Sequence, residues 1–453
     1  MRPVVRIKHT MDRLASHGGL LLIGGLLNSM QLKNQLNNMP NVHCVDPKFS
    51  HADVLFSMIA LISIAKPDYD AIEIFREKQD FFTKALGISG CPSSPTIRQR
   101  IDLIGRSADD ILKKEAINLI RTKAPTLSTI ETSAGPFVPL DIDVSPFDNS
   151  KTQKEGVART YKGYDGYAPI FSYLGTEGYS INHELRQGSQ HCQKNTPQFI
   201  EKTLTYARQL TDLPILMRLD SGNDSQDNFP DEKWENVDFI IKRNLRRESP
   251  LNWAQLAKEK GVAHIRRKDM TVWSGKTTVG LQGEDLPFAI FFEVTERHMR
   301  KGQQLIFPEV EVDTYWCSLD QLEAKEVVAL YHDHGTSEQY HSEIKSDMGL
   351  ERLPSSRLAS NALVLQLGML TYNLLRVIGQ TSLAELNNNR LPGSRNKKVT
   401  RRRIRTVIQD LMYMAGRLIY TGRRWYVSFG RLNPFAVLFE RIYNRIRGWP
   451  APA

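Results

Sequence analysis

The segment that most constrains this chain is Phe137-Val-Pro-Leu-Asp-Ile-Asp-Val144, an apolar, strand-forming run that carries two carboxylates. Asp141 and Asp143 alternate with Ile142 and so share one strand face. Their apolar neighbours predict a buried sheet, where a carboxylate is costly unless a cation or a hydrogen-bonding partner neutralises it. Such a strand points to chemistry, with Asp143 and Asp141 both candidates.

The runs that follow extend the sheet. Tyr167–Leu174 and Tyr179–Leu185 read as strands joined through Gly175-Thr-Glu-Gly178, so three consecutive antiparallel strands are expected. A helix is predicted over Thr196–Leu210. Pro214-Ile-Leu-Met-Arg-Leu219 then forms a strand that ends at Asp220-Ser-Gly-Asn-Asp224. Asp220 stands where a rigid strand hands a side chain to a loop, a position suited to chemistry and equally to capping a turn; Asp224 is expected to be a cap. Val237–Ile241 gives one more strand, and residues 246–315 mix β-rich runs with polar turns, as an inserted β-rich subdomain would. Ser318-x-x-Gln321 and Thr336-x-x-Gln339 match capping boxes. They predict a helix from about Leu319 to Tyr331, a turn at His332-Asp-His-Gly335 and a second helix. That second helix carries Glu338 in its first turn, with Lys345 seven residues on and near the same face.

Helical spacing dominates before the sheet, as in Ala52, Leu55, Phe56, Met58, Ile59 and Ile62. Ser94-Pro95 predicts a capped helix start that presents Arg98, Gln99 and Arg100 as a recognition helix would. The turn-rich stretch 125–136 closes this helical region. Gly18–Leu27 is apolar but glycine-broken and lacks a small-residue cleavage site, so export is not expected. Ala362–Leu375 contains Gln366, Tyr372 and Asn373 and reads as a buried helix, so no membrane span is expected. Four scattered cysteines suggest neither a disulfide framework nor a zinc ribbon and fit a reducing cytosol. His332-Asp-His334 lacks the spacing of a zinc helix.

Charge is unevenly placed. The formal net charge is +10, yet residues 351–453 alone hold 18 Lys and Arg against four acids. The densest part contains Arg390, Arg395, Lys397, Lys398, Arg401, Arg402, Arg403 and Arg405. That composition suits phosphate neutralisation by a nucleic-acid binder and equally a solvated arm.

An enzyme that breaks phosphodiester bonds with two divalent ions needs carboxylates converging from separate elements. The carboxylates above fall into a pattern that resembles the bacterial insertion-sequence transposases with an RNase H-like core. Their signature is tyrosine, two residues, arginine, three residues, glutamate, six residues, lysine. Tyr331, His334, Glu338 and Lys345 reproduce this spacing, with histidine in place of arginine. The stretches Leu140–Ser150, Tyr161–Tyr167, Arg218–Asp224 and Ile241–Leu245 are similar to the insertion-sequence family numbered 1380, and the likeness covers nearly the whole chain.

The resemblance implies a DDE transposase of α/β class: an RNase H-like mixed sheet flanked by helices, an inserted β-rich subdomain, and helical modules at both ends. It selects Asp143 over Asp141, because Ser145 follows after one residue, and makes Asp143, Asp220 and Glu338 the catalytic and metal-binding residues. It also implies two Mg²⁺ ions, with Mn²⁺ able to substitute. Tyr331, His334, Lys345, Lys242 and Arg243 would contact DNA phosphates. Arg98, Gln99, Arg100, Arg401, Arg402, Arg403 and Arg405 would bind DNA, and Trp273 would stack on a flipped base or be buried. Partners would be double-stranded DNA, at transposon ends and target, and a second copy of the chain on synapsed DNA. The expected division is a helical DNA-binding region 1–130, core 131–245, insertion 246–315, core 316–380 and basic C-terminal region 381–453. Two alternatives stay open: a transposase-derived DNA-binding protein that no longer cuts, and a metal-dependent nuclease that cuts without rejoining.

Overall fold

The computed structural model describes residues 7, 11–40, 47–77, 79–125, 127–231, 233–267, 269–300, 303–386 and 399–448. Arg390, Arg395, Lys397 and Lys398 lie outside them. The chain forms two compact units, residues 1–125 with 343–453 and residues 126–342. One break therefore falls at 342/343, inside the segment 316–380 expected to be continuous.

The first unit opens with α1 (Leu20–Asn28). Its glycines, which argued against an export signal, serve packing: a Cβ on Gly24 would lie 1.7 Å from the Ala85 carbonyl oxygen. In α2 (His51–Ser63) a capping box between Ser50 and Asp53 starts the helix, and every residue is buried. The helix α3 (Ser94–Ile104) begins one residue earlier than expected, because the cap is Ser93, which accepts from the Thr96 N–H. Ser94 instead hydrogen-bonds the Asp70 carboxylate. After α4 (Asp109–Lys123) the chain enters the second unit.

The second unit is one mixed sheet with helices against it. Its strands are β1 (Gly135–Val144), β2 (Ile170–Leu174), β3 (Tyr179–Glu184), β4 (Ile215–Leu219), β5 (Val237–Arg243), β6 (Val262–Arg267), β7 (Met270–Val279), β8 (Asp285–Arg300) and β9 (Gln303–Cys317). They lie in the order β6-β7-β8-β9-β5-β4-β1-β2-β3, and the short strand Ile130–Thr132 also pairs with β1. β1, β2 and β3 are antiparallel, whereas β4 runs parallel to both β1 and β5. This is the RNase H-like mixed sheet. The helix α5 (Thr196–Arg208) makes the crossover from β3 to β4 that parallel pairing with β1 requires.

The β-rich segment is present, but it continues the main sheet through antiparallel pairing of β9 with β5, from Ile240–Cys317 to Arg243–Thr314. Its helix α6 (Pro250–Lys260) buries Trp253 against Phe292. The helix α7 (Ala324–His332) lays Val327, Val328 and Leu330 on a sheet face formed by Phe137, Leu216, Ile240, Phe291 and Tyr315. It starts five residues later than expected. Ser318 is not its cap: the Ser318 hydroxyl accepts from the Phe239 N–H and donates to Asp238, which ties it to β5. A 3-10 turn, Asp333–Gly335, leads into α8 (Thr336–Ser342).

The chain returns to the first unit through a π-helical turn, Glu343–Asp347. The helix α9 (Leu358–Ala384) is long and apolar enough to cross a membrane, yet its most apolar stretch is wholly buried, packed on α2 and α4. Along it, Arg376 is fully buried and ion-paired with Glu343, which also accepts from Arg401 Nη1 at 2.8 and 3.0 Å. Asp347 pairs with Arg403 Nε at 2.7 Å and with Arg405 Nη2 at 3.1 Å. Arg402 is buried on Asp410 and the Ser382 hydroxyl. The hairpin Gly416–Thr421 with Arg424–Phe429 and the helix α10 (Ala436–Gly448) complete the unit. The arginines Arg401, Arg402, Arg403 and Arg405, expected at DNA or on a solvated arm, are thus ion-paired within the protein. Burial explains this: Glu343 and Asp347 need compensating cations.

Removing one partner of a buried pair leaves an uncompensated charge, so Glu343→Ala is expected to destabilise the chain by about 3–5 kcal/mol. Urea unfolding measures this, and a loss below about 1 kcal/mol would contradict the network's structural role.

Candidate functional site

Asp141 and Arg218 are opposite residues in the parallel β1–β4 register. Arg218 donates from Nε and Nη2 to the two Asp141 oxygens, at 2.7 and 2.9 Å, and from Nη1 to the Leu330 carbonyl at 2.7 Å. His334 donates from Nδ1 to Asp141 Oδ1 at 2.8 Å. All three side chains are buried. Burial alone would raise the Asp141 pKa, but the Arg218 and His334 charges hold it below the usual range. Burial alone would lower that of His334, and the Asp141 charge outweighs it and raises it. His334 therefore does not face solvent as a phosphate ligand would; it takes the place of a buried cation on Asp141.

Each member of this ionic layer sits just before a predicted catalytic acid. Two residues beyond the Asp141–Arg218 pair stand Asp143, on the same face of β1 as Asp141, and Asp220, the first residue after β4. Four residues beyond His334 stands Glu338. Asp220 is pushed up to about 6, first by burial and then by the negative charge of Asp143. Asn223 Nδ2 donates to its Oδ1 at 2.7 Å. Asp143 is held below the ordinary carboxylate range: burial opposes this, but a hydrogen bond from His341 and the His341 and His334 charges prevail. His341 Nε2 lies 3.0 Å from Asp143 Oδ2.

Two tyrosines border the pair. Tyr161 and Tyr331 both have phenols raised well above their ordinary range, first by burial and then by Asp143 and Asp220. The Tyr331 ring packs on Tyr315 and His334, with the Lys242 ammonium 6.0 Å from its centroid. Lys242 also pairs with Asp313 at 2.8 Å and keeps about a third of its side chain exposed. Thus Asp143, Asp220, Tyr331 and Lys242 gather on one side of the sheet.

Glu338 is exposed in the first turn of α8, and His341 follows it by three residues. Side chains at that spacing are neighbours, with Cβ atoms roughly 5–6 Å apart, so Glu338 borders the place where His341 meets Asp143. Among the described residues, no three His, Cys, Asp or Glu side chains converge closely enough to hold a metal ion. The donor set nevertheless fits a divalent cation, since two adjacent carboxylates, one of them protonated near pH 6, are the charge arrangement a hard cation relieves.

The remaining predicted residues lie elsewhere. Arg243 is engaged with Glu248 and stacks 5.3 Å from the Trp316 ring centroid. Trp273 is half-buried on β7, with Lys258 5.5 Å from its centroid. Lys345 belongs to the other unit and sits on the π turn, where the 3.6-residue phase used to align it with Glu338 does not hold. Arg98 and Gln99 are exposed on α3, and Arg100 is half-buried beside His51. Asp224, read as a cap, is buried and accepts from Trp316 Nε1 at 3.0 Å and the Asn244 N–H at 3.0 Å. Sequence reasoning missed His341, Tyr161 and Asn223; the position of His341 three residues after Glu338 was the available signal.

Because Asp220 is raised in the folded state, its contribution to stability is full below about pH 4 and is lost as pH rises through about 6. In metal-free buffer, Asp220→Asn should therefore stabilise the protein at pH 8 by about 3 kcal/mol and leave it nearly unchanged at pH 4. Thermal melts across that range test this, and equal shifts at both pH values would contradict it.

The family model described as transposase DDE domain group 1 matches residues 1–451. No curated protein matches the chain. Among solved structures, it is similar to the cryo-EM structure of the piggyBac transposase synaptic complex with hairpin DNA, at a TM-score of 0.43 and 9% identity, covering 97% of this chain and 83% of that one. The chain belongs to the transposase DDE domain group 1 family.

Proposed function

We propose that this protein is an active DNA transposase that binds the ends of its element, cleaves strands there and joins them to target DNA, with Asp143, Asp220 and Glu338 as metal ligands. The observation that carries the reading is the Asp143–Asp220 pair: a carboxylate near the end of β1 and another just past the end of the parallel strand β4, the latter raised to about 6 by burial and by its neighbour. Asp141 is a poorer candidate, since both its oxygens are engaged by Arg218 and His334.

Two Mg²⁺ ions, replaceable by Mn²⁺, would supply Lewis acidity and lower the pKa of an attacking water or 3′-hydroxyl. Asp143 and Asp220 would hold the ions from the sheet side, and Glu338 would do so from α8. Lys242, beside Tyr331, neutralises a backbone phosphate and holds the scissile strand in line, while the Tyr331 hydroxyl donates to a phosphate oxygen. The exposed Arg98 and Gln99 on α3 contact the element's terminal repeats. Arg403 and Arg405, about half exposed although paired with Asp347, add phosphate contacts. Cutting two ends together calls for two copies on synapsed DNA, working in the cytosol.

The test is Mg²⁺-dependent cleavage and strand transfer of a labelled fragment carrying the element's own terminus, comparing the wild type with Glu338→Gln. Rejoined products that fall by at least on the order of 100-fold in the variant are expected. Cutting without joining would favour a nuclease, and binding without cutting a DNA-binding protein that has lost catalysis.

A further inference from the structure

His341 enters neither the family signature nor the ligand set, yet it is buried and makes two polar contacts of hydrogen-bond length. Nε2 lies 3.0 Å from Asp143 Oδ2, and Nδ1 lies 3.1 Å from the Tyr173 hydroxyl. A carboxylate only accepts, so Nε2 carries a proton. The Tyr173 hydroxyl, which can donate or accept, engages Nδ1, so both ring nitrogens are held.

The ring has little room to turn. Phe171 and Tyr173, both on β2, flank it at centroid distances of 5.4 and 5.5 Å. Phe171 is the residue directly opposite Asp143 in the β1–β2 register. Tyr173 in turn packs on Tyr340, the neighbour of His341 in α8, at 4.9 Å.

We infer that His341, oriented by Tyr173, is a positioning residue that fixes the Asp143 carboxylate for metal binding and ties the Glu338 helix to the same oxygen atoms. The inference rests on the proposed metal-dependent function. A carboxylate offers about four lone-pair directions. The hydrogen bond from His341 takes one of them and sets the plane of the group, so the directions left for a cation are defined before it arrives. Hydrogen bonds to metal-ligating side chains typically account for 10–100-fold in metal affinity. Because His341 lies less than one turn from Glu338 in the short helix α8, the same hydrogen bond holds the helix that carries Glu338 against β1.

The experiment is a Mn²⁺ titration of the metal-stripped full chain, followed by electron paramagnetic resonance, on the wild type, Asp143→Ala, His341→Ala, His341→Gln and Tyr173→Phe. Asp143→Ala is expected to lose the site and His341→Ala to weaken it by about 10–100-fold. His341→Gln, whose amide N–H can reach the same oxygen, should recover most of that loss, and Tyr173→Phe should show a smaller one. Equal affinity in the wild type and His341→Ala would overturn the inference while leaving the metal reading intact. A directly bound nitrogen in the Mn²⁺ spectrum that His341→Ala removes would also overturn it, since His341 would then be a ligand. If His341→Ala does not fold, the glutamine variant decides: a folded His341→Gln as weak as Asp143→Ala refutes positioning by the hydrogen bond. Mn²⁺ binding that is the same in the wild type and Asp143→Ala would refute the metal reading and this inference together.

Discussion

The buried ionic layer of Asp141, Arg218 and His334 is the constraint on which the site depends. Three stretches of chain meet there: the middle of β1, the middle of β4 and the turn between α7 and α8. Bringing these charges out of water is unfavourable, and their mutual attraction offsets the cost only if the geometry is good. Here it is good. Arg218 engages both Asp141 oxygens and also the end of α7 through Leu330, so register and helix placement are specified together. The candidate ligands then inherit their positions, each a short step along the chain from one member of the layer.

A second set of contacts fixes α8 from the other side. Tyr340 lies across the turn between β2 and β3, where Gly178 adopts a positive φ of 71° and a Cβ would come within 2.3 Å of the ring. The Tyr340 hydroxyl donates to the Thr176 carbonyl at 3.1 Å. A seven-residue helix has few internal hydrogen bonds to hold it; aromatic packing on a glycine turn and the His341–Asp143 contact do so instead. The first unit uses a related device, with Glu343 and Asp347 gathering arginines from α9 and from residues 401–405.

Much of this was legible in the sequence because it depends on local pattern. Apolar, strand-forming runs bounded by turn residues identified β1, β2, β3, β4 and β5, and the run into Asp220 placed that residue at a strand end. What could not be read depends on pairing between distant residues. Nothing local tells whether His334 meets a phosphate or Asp141, 193 positions away. The basic run 401–405 looks the same whether it is solvated or neutralised by Glu343 and Asp347, because acid partners more than 50 residues distant leave no mark on composition. The β-rich segment was recognisable as strands, but its merger with the main sheet rests on the β5–β9 pairing, which no periodicity encodes. The break at 342/343 is hidden in the same way, inside what reads as one helical stretch.

That merger changes where the sheet ends. In a sheet stopping at β5, the strand carrying Lys242 would present unpaired N–H and C=O groups to any passing strand. With β9, β8, β7 and β6 added, the terminal strand on that side is β6, four strand spacings away, or about 20 Å at about 4.8 Å per spacing. Association by strand addition on this side would therefore take place well away from Asp143 and Asp220, and would leave the pairing of β1 with β4 untouched.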